Sequence, residues 1–163
     1  MSTPGFSLLS QSREMAKAAN QLAWALLEQQ DRTESETQEM MHAAHASYYL
    51  WGKVDQGAPL QRGARLLSRA YLMAGQHPLA LAYARQCLAR TETDPGPLAD
   101  FDFFYAQEGM ARALAAVGEV EQARHYLARA REWATKIADD EDRAIVEGDL
   151  TAEPWFGLRL ESK

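Results

Sequence analysis

The sequence lacks the features that would place the protein in a membrane or in a disulfide-stabilised fold. No apolar run approaches the roughly 18 to 20 residues that cross a bilayer, and residues 1–13 lack the basic start and long apolar core of a signal peptide. The single cysteine, Cys87, cannot form an internal disulfide and excludes a zinc site built from several cysteines. These absences predict a cytoplasmic protein with no membrane partner.

Sequence motifs that mark catalysis are also missing. The chain has no phosphate-binding loop of the GxGxxG or GxxxxGK[ST] type, no GxSxG nucleophile elbow, no HExxH and no CxxC. Cys87 lies on a helical stripe with Ala84 and Leu88, which favours a packed thiol over a reactive nucleophile. We therefore expect a protein that is not an enzyme and needs no cofactor.

The chain has fewer basic than acidic residues. The 17 Lys and Arg residues are outnumbered by 23 Asp and Glu, which gives a net charge of −6 and disfavours nucleic acid as a partner. The composition, 47% hydrophobic and 25% charged, is typical of folded globular proteins, and 163 residues fit one domain. We expect residues 1–163 to form that single domain.

Strand patterns are nearly absent, and Ala, Leu, Gln, Glu and Arg dominate, so the sequence predicts an all-α fold. Apolar residues recur every three or four positions, which predicts three antiparallel helical hairpins over about 13–53, 59–92 and 100–137 and a short capping helix over about 139–150. The predicted buried stripes of the first two helices are Met15, Ala19, Leu22 and Leu26, and Met41, Ala44, Tyr48 and Trp51.

Several residues mark the predicted helix ends. Thr33 and Glu36 form a capping-box pattern, and Pro59 and Pro78 suit the first turns of two later helices. Gly75 and Gly118 supply the left-handed residues that end helices. The apolar segment 154–158 is too hydrophobic to stay in water, and we expect it to fold back over an exposed helix face.

Two segments of the chain resemble each other: RAYLMAGQHPLALAYARQCLA and RALAAVGEVEQARHYLARA. Their glycines, Gly75 and Gly118, are 43 residues apart, and an alanine follows each glycine after five positions. With Ser68 and Ala111 at a small position of the first helix, this pattern resembles the tetratricopeptide repeat, a unit of roughly 34 residues. The resemblance implies a right-handed array of the three hairpins, with a concave groove in which peptides bind.

The segments HAAHASYYLW and DFDFFYAQEGMARA, together with the middle repeat, also resemble a group of uncharacterised bacterial proteins. That likeness implies no activity. Stacked helical hairpins often leave an apolar end face uncovered, so we expect a homodimer.

Charge is segregated along the chain. Residues 60–91 carry five arginines and no acid, whereas residues 132–153 carry eight acids and two bases. Arg62, Arg65 and Arg69 share one helix face, and the resemblance places them in the groove, with Tyr105, Glu108 and Arg112 at the matching positions of the next unit. Guanidinium groups suit carboxylates, so we hypothesise that this groove binds an acidic protein or peptide segment. The same row could instead be an ordinary solvated face, or pair with the acidic C-terminal helix.

A second row of side chains supports a different class of function. His42, His45 and Tyr49 lie on one face of the second helix. Asp100, Asp102 or Glu108 could complete a metal or small-ligand pocket with the two histidines. The spacing matches no established metal motif, so histidines bonded at a helix interface are the favoured interpretation. A pocket enclosing His42, His45, Asp102 and Glu108 would favour ligand or metal binding, whereas an open groove lined by the arginines would favour a peptide scaffold.

Overall fold

The computed structural model describes residues 8–158, and the side chains from residue 11 onward. Within this range the chain forms seven α-helices and no strand, which confirms the predicted all-α fold. The helices are α1 (Leu8–Glu28), α2 (Glu34–Val54), α3 (Ala58–Met73), α4 (His77–Thr93), α5 (Asp100–Ala116), α6 (Val120–Ala134) and α7 (Asp140–Thr151). Residues 1–7 and 159–163 of the predicted domain lie outside the described residues.

The predicted start of α2 is confirmed by its hydrogen bonds. The Thr33 hydroxyl accepts the backbone N–H of Glu36 at 3.2 Å, and the Glu36 carboxylate accepts the backbone N–H of Thr33 at 2.8 Å. This capping box satisfies two N–H groups that have no partner within the helix. The bond from the Thr33 backbone also lowers the pKa of the Glu36 carboxyl.

Helices α3 and α5 end just before Gly75 and Gly118, the two glycines that the sequence predicts as helix ends. Gly75 and Gly118 have φ angles of 75° and 85°, a region in which a side chain is strained. Each glycine therefore lets the chain reverse within three residues and begin the second helix of its hairpin. Pro59 and Pro78 lie in the first turns of α3 and α4, as predicted.

The helices pack in adjacent pairs and form two layers. The pairs α1/α2, α3/α4 and α5/α6 have the most extensive contacts, which gives the three predicted hairpins. The odd-numbered helices also pack against one another in order, α1 with α3, α3 with α5 and α5 with α7. The backbones of α2, α4 and α6 stay apart, although side chains join α2 to α4, as where the Tyr48 hydroxyl donates to Oε1 of Gln86 at 3.2 Å. One layer therefore consists of α1, α3, α5 and α7, and its surface carries the candidate site.

Small residues allow the helices to approach closely. The Ser68 hydroxyl donates to the backbone oxygen of Ala80 at 2.8 Å, and both residues are buried. Between α2 and α3, a Cβ atom at Gly63 would lie only 2.9 Å from the Tyr48 ring, so this crossing requires glycine. Ser68 and Ala80, two of the small positions that suggested a repeat, are therefore a contact point between helices.

The predicted buried stripe of α1 is wrong for two of its residues, since Met15 and Leu22 are 53% and 42% exposed. The buried face of α1 consists mainly of small residues, Ser12, Ala16 and Ala23, with Leu26 at its end, and the Ser47 hydroxyl of α2 donates to the Ala16 oxygen. In α2, the buried residues lie one position earlier than most of the prediction: Met40, Ala43, Ala44, Ser47 and Leu50. Helix α6 also ends at Ala134, although Ile137 beyond it is buried as expected.

The C-terminal segment folds back as predicted. Trp155 is 1% exposed and joins the core cluster that contains Met110 and Leu114, and Leu158 is also buried there. The Trp155 indole N–H donates to the backbone oxygen of Leu150 at 3.1 Å, so its polar atom has a partner. Burial of this ring is worth at least about 2 kcal/mol, which anchors the end of α7 to the array.

Candidate functional site

A cavity of about 460 Å³ opens on the layer formed by α1, α3, α5 and α7. Its walls combine apolar side chains with six charged ones, and α4 contributes two residues to its floor. The lining residues are Trp24, Leu27, Glu28, Arg65, Ser68, Arg69, Leu72, Ala84, Cys87, Tyr105, Ala106, Glu108, Gly109, Arg112, Ile145 and Asp149. The cavity therefore brings together five of the six residues predicted to contact a partner, and leaves out Arg62.

The Arg65 guanidinium lies close to two aromatic rings. Its guanidinium carbon lies 3.3 Å from the centre of the Tyr105 ring and 5.2 Å from that of Trp24. Its nitrogen atoms have no hydrogen-bond acceptor among the side chains and backbone that the structure describes. The two aromatic contacts position the guanidinium, and its N–H donors use no acceptor within the part of the chain that the structure describes.

Arg69 lies one turn further along α3 and is more deeply buried, with a side chain that is 23% exposed. Its Nη1 atom is inaccessible to solvent and has no hydrogen-bond partner, and the nearest carboxylate oxygen, Oε1 of Glu108, is 4.0 Å away. Burial lowers the pKa of Arg69, although the carboxylate of Glu108 partly opposes this. A buried N–H group without an acceptor is costly, so an anion in the cavity would be stabilised here.

Arg112 has a different role, because it holds the C-terminal segment. It forms an ion pair with Glu108, and its guanidinium also donates to the backbone oxygens of Asp149, Ala152 and Pro154 at 2.7 to 2.9 Å. The guanidinium carbon lies 3.8 Å from the centre of the Trp155 ring, and the residue is 1% exposed. Arg112 reaches the cavity wall, but its donors already bind protein groups.

Tyr105 joins α5 to α7 at the edge of the cavity. Its hydroxyl donates to Oδ2 of Asp149 at 2.5 Å. Burial raises the pKa of Tyr105, and the hydrogen bond to Asp149 raises it further because the neutral phenol is the donor. Tyr105 therefore stays protonated near neutral pH and positions both the Arg65 guanidinium and the Asp149 carboxylate.

Arg62 and Asp102 form an ion pair outside the cavity. Two guanidinium nitrogens of Arg62 donate to the two carboxylate oxygens of Asp102 at 2.9 and 2.8 Å, and this bond raises the pKa of Arg62. The Asp102 carboxylate also accepts the backbone N–H of Ala99 at the start of α5. Within the described residues, the two α3 arginines that lie within ion-pair distance of a carboxylate, Arg62 and Arg69, therefore pair with acids of α5 and not with acids of α7.

The histidine row lies away from the cavity. Nε2 of His45 is 2.7 Å from the Tyr71 hydroxyl, and its ring packs edge-on against Tyr71 and Tyr83. His42 and Tyr49 are exposed, and the Lys53 ammonium lies over the Tyr49 ring. Of the five residues named for a metal or ligand pocket, only Glu108 lines the cavity, and no group of three or more potential metal ligands occurs within residues 8–158.

Cys87 lies at the floor of the cavity and is 2% exposed. Burial raises the pKa of its thiol to about 12, so the thiolate is scarce at neutral pH. This environment matches the packed thiol that the sequence predicts.

Five cavity residues on α1 and α7 were not identified as site residues from the sequence: Trp24, Leu27, Glu28, Ile145 and Asp149. Asp149 lies in the acidic segment 132–153, and no sequence pattern marks Trp24. They come from the two ends of the array, α1 and α7, and no repeat pattern links these helices to α3. A tryptophan on the first predicted helix is the signal that could have indicated an aromatic wall.

No protein-family model, curated protein or solved structure matches this chain. The evidence on function is therefore the geometry of the site itself. None of the helices within residues 8–158 is long and apolar enough to cross a membrane.

Proposed function

We propose that this protein is a non-catalytic binding scaffold of the tetratricopeptide-repeat type, which receives a peptide segment of a partner protein in the cavity between α1, α3, α5 and α7. The observation that carries the proposal is the pair Arg65 and Arg69. Both line one cavity, and neither guanidinium group forms a hydrogen bond with the residues that the structure describes. A carboxylate of the partner would satisfy these donors through charge-assisted hydrogen bonds.

The layered packing supports the repeat-type assignment. In this fold class the first helix of each hairpin lines the concave face, and the cavity lies on the layer of α1, α3, α5 and α7. The contact set of the proposal is narrower than the set predicted from sequence. Arg62 is bonded to Asp102 outside the cavity, and Arg112 is bonded to the C-terminal segment, so the proposal relies on Arg65, Arg69 and the adjacent apolar wall.

The test is binding of the full chain to an array of short peptides that combine acidic and apolar residues. We expect the double variant Arg65→Gln/Arg69→Gln to lose at least tenfold in affinity, because hydrogen bonds to charged groups are worth about 1.5–3 kcal/mol each. The matched control is Arg85→Gln/Arg129→Gln, which removes two exposed arginines of the outer helices with the same change in net charge.

Two results would contradict the proposal. One is equal affinity of the wild type and the Arg65/Arg69 double variant for the selected peptides. The other is selection of peptides without any carboxylate. Thermal melts of all variants show whether a loss of binding reflects unfolding.

A small-ligand protein is the second candidate function. A volume of about 460 Å³ lies within the range of pockets for small organic molecules, and apolar walls with a few polar groups are typical of them. The expected homodimer is a separate proposal, which sedimentation of the full chain tests. The cytoplasmic location also remains a proposal.

A further inference from the structure

The charges that line the cavity are balanced, but they are not all paired. Arg112 and Glu108 form a buried ion pair with each other, and Arg69 makes only a long contact of 4.0 Å with the same carboxylate. This leaves Arg65 and Arg69 on α3, and Glu28 and Asp149 on α1 and α7. Two cations and two carboxylates thus share one cavity while belonging to different walls.

The two carboxylates keep acceptor capacity. Asp149 uses Oδ2 to accept the Tyr105 hydroxyl, and its other oxygen accepts no hydrogen bond from the described residues. Glu28 is exposed at the end of α1 and forms no ion pair within residues 8–158. No ion pair within 4.0 Å joins either carboxylate to Arg65 or Arg69, although Asp149 is close enough to raise the pKa of Arg69.

Apolar side chains line the same cavity as these charges. They include Leu27, Leu72 and Ile145, and Ile145 is 58% exposed. An exposed isoleucine beside unpaired charges suits a ligand that carries both an apolar group and charges.

We propose that the cavity binds a short peptide of two or three residues as a zwitterion. Its carboxylate lies at Arg65 and Arg69, its ammonium group lies on the side of Asp149 and Glu28, and a large apolar side chain packs on Leu72 and Ile145. The inference rests on the proposed function in that it uses the same cavity and the same two arginines. Its ligand is a free short peptide and not a segment of a partner protein, so it specifies the small-ligand candidate.

Charge complementarity favours this ligand over others. A ligand with two or more negative charges would meet the carboxylates of Glu28, Glu108 and Asp149 in the same cavity. A ligand with a carboxylate alone would leave Asp149 and Glu28 unmatched. The volume of about 460 Å³ accommodates a few residues but no folded partner.

The experiment is calorimetric titration of the full chain with three probes: leucyl-leucine, its N-acetyl form, which has no ammonium group, and its C-terminal amide, which has no carboxylate. We expect leucyl-leucine to bind at least tenfold more tightly than either blocked form. The variant Asp149→Asn should lower the affinity for leucyl-leucine at least tenfold and leave the affinity for the N-acetyl form unchanged.

The controls separate folding from recognition. An asparagine at position 149 can still accept the Tyr105 hydroxyl, and Asp140→Asn makes the same chemical change at an exposed position of α7. Should Asp149→Asn melt at a lower temperature than the wild type, Glu28→Gln makes the same comparison at an exposed residue.

Two outcomes would overturn the inference. Equal binding of the N-acetyl form and leucyl-leucine would show that the ammonium group is not recognised, while the arginine site of the proposed function would stand. Binding of none of the three probes would also overturn it, and the peptide array described above would then decide the proposed function independently.

Discussion

Arg112 shows how one side chain can have a role that its position in a repeat does not reveal. The repeat pattern places it on the groove face of α5, where an arginine would contact a partner. In the folded chain, however, the backbone oxygens of Ala152 and Pro154 occupy its donors, and the Trp155 ring covers its face. A helical pattern gives the direction of a side chain, but not what a segment 40 residues later places against it.

At this scale we predict that Arg112→Ala lowers the free energy of unfolding by about 3–5 kcal/mol. The substitution leaves the Glu108 carboxylate buried without its ion-pair partner and three backbone oxygens without their donor. Urea denaturation measures the loss.

The control for this prediction is Arg124→Ala, which removes an exposed ion pair with Glu121 and should cost less than about 1 kcal/mol. Similar losses for the two variants would show that Arg112 is not a structural clamp. Replacing both partners, as in Arg112→Met/Glu108→Gln, should cost less than Arg112→Ala because it leaves no unpaired buried charge.

At the scale of the helix, the residues that mark helix ends predicted the structure better than the apolar stripes predicted the buried faces. The capping box at Thr33 and the glycines at 75 and 118 act through bonds within a few residues, so the sequence determines them directly. The stripe of α1 failed because it was chosen for large apolar residues. The helix instead packs on α2 through Ser12, Ala16 and Ala23, which let the two backbones approach closely.

Two glycine substitutions test this local control. Gly118→Ala should destabilise the protein by about 1–2 kcal/mol, because position 118 has φ of 85° and alanine is strained there. Gly148→Ala should stabilise it by up to about 1 kcal/mol, because this glycine lies inside α7 with open space around it. Both changes are read from thermal unfolding, and effects of the same sign at the two positions would contradict the explanation.

At the scale of the whole molecule, a cluster of aromatic rings joins the first two hairpins. His45 of α2 contacts Tyr71 of α3, and the Tyr71 ring stacks on Tyr83 of α4 at 5.5 Å between centres. Burial lowers the pKa of His45 from its ordinary value of 6.5, and the neighbouring His42 lowers it further. The packing between hairpins therefore favours the neutral imidazole.

We predict that this linkage makes the stability of the array depend on pH. Because the pKa of His45 is lower in the folded state, the full contribution of this residue to the free energy of unfolding is present above pH 6.5. It is lost as the pH falls through 6.5 toward the folded-state pKa, because the unfolded chain binds a proton first. Urea midpoints at pH 7.5 and 5.5 measure the decline.

The variant His45→Gln should show a smaller decline between these two pH values, whereas His125→Gln, at an exposed position, should behave like the wild type. An unchanged decline in His45→Gln would assign the pH dependence to other groups.

The sequence by itself determined the helices, most of their ends and their pairing into hairpins. Those features depend on capping bonds, backbone dihedrals and apolar periodicity, which act over a few residues. It also indicated Arg65, Arg69, Tyr105 and Glu108 as residues of one surface.

Only the tertiary structure decided which charged groups remain available to a ligand. Asp102 binds Arg62 from 40 positions away, the C-terminal segment binds Arg112, and Trp24 and Asp149 reach the cavity from the two ends of the array. Whether a donor is free depends on every group that folding brings within hydrogen-bond distance, and a local pattern does not contain that information.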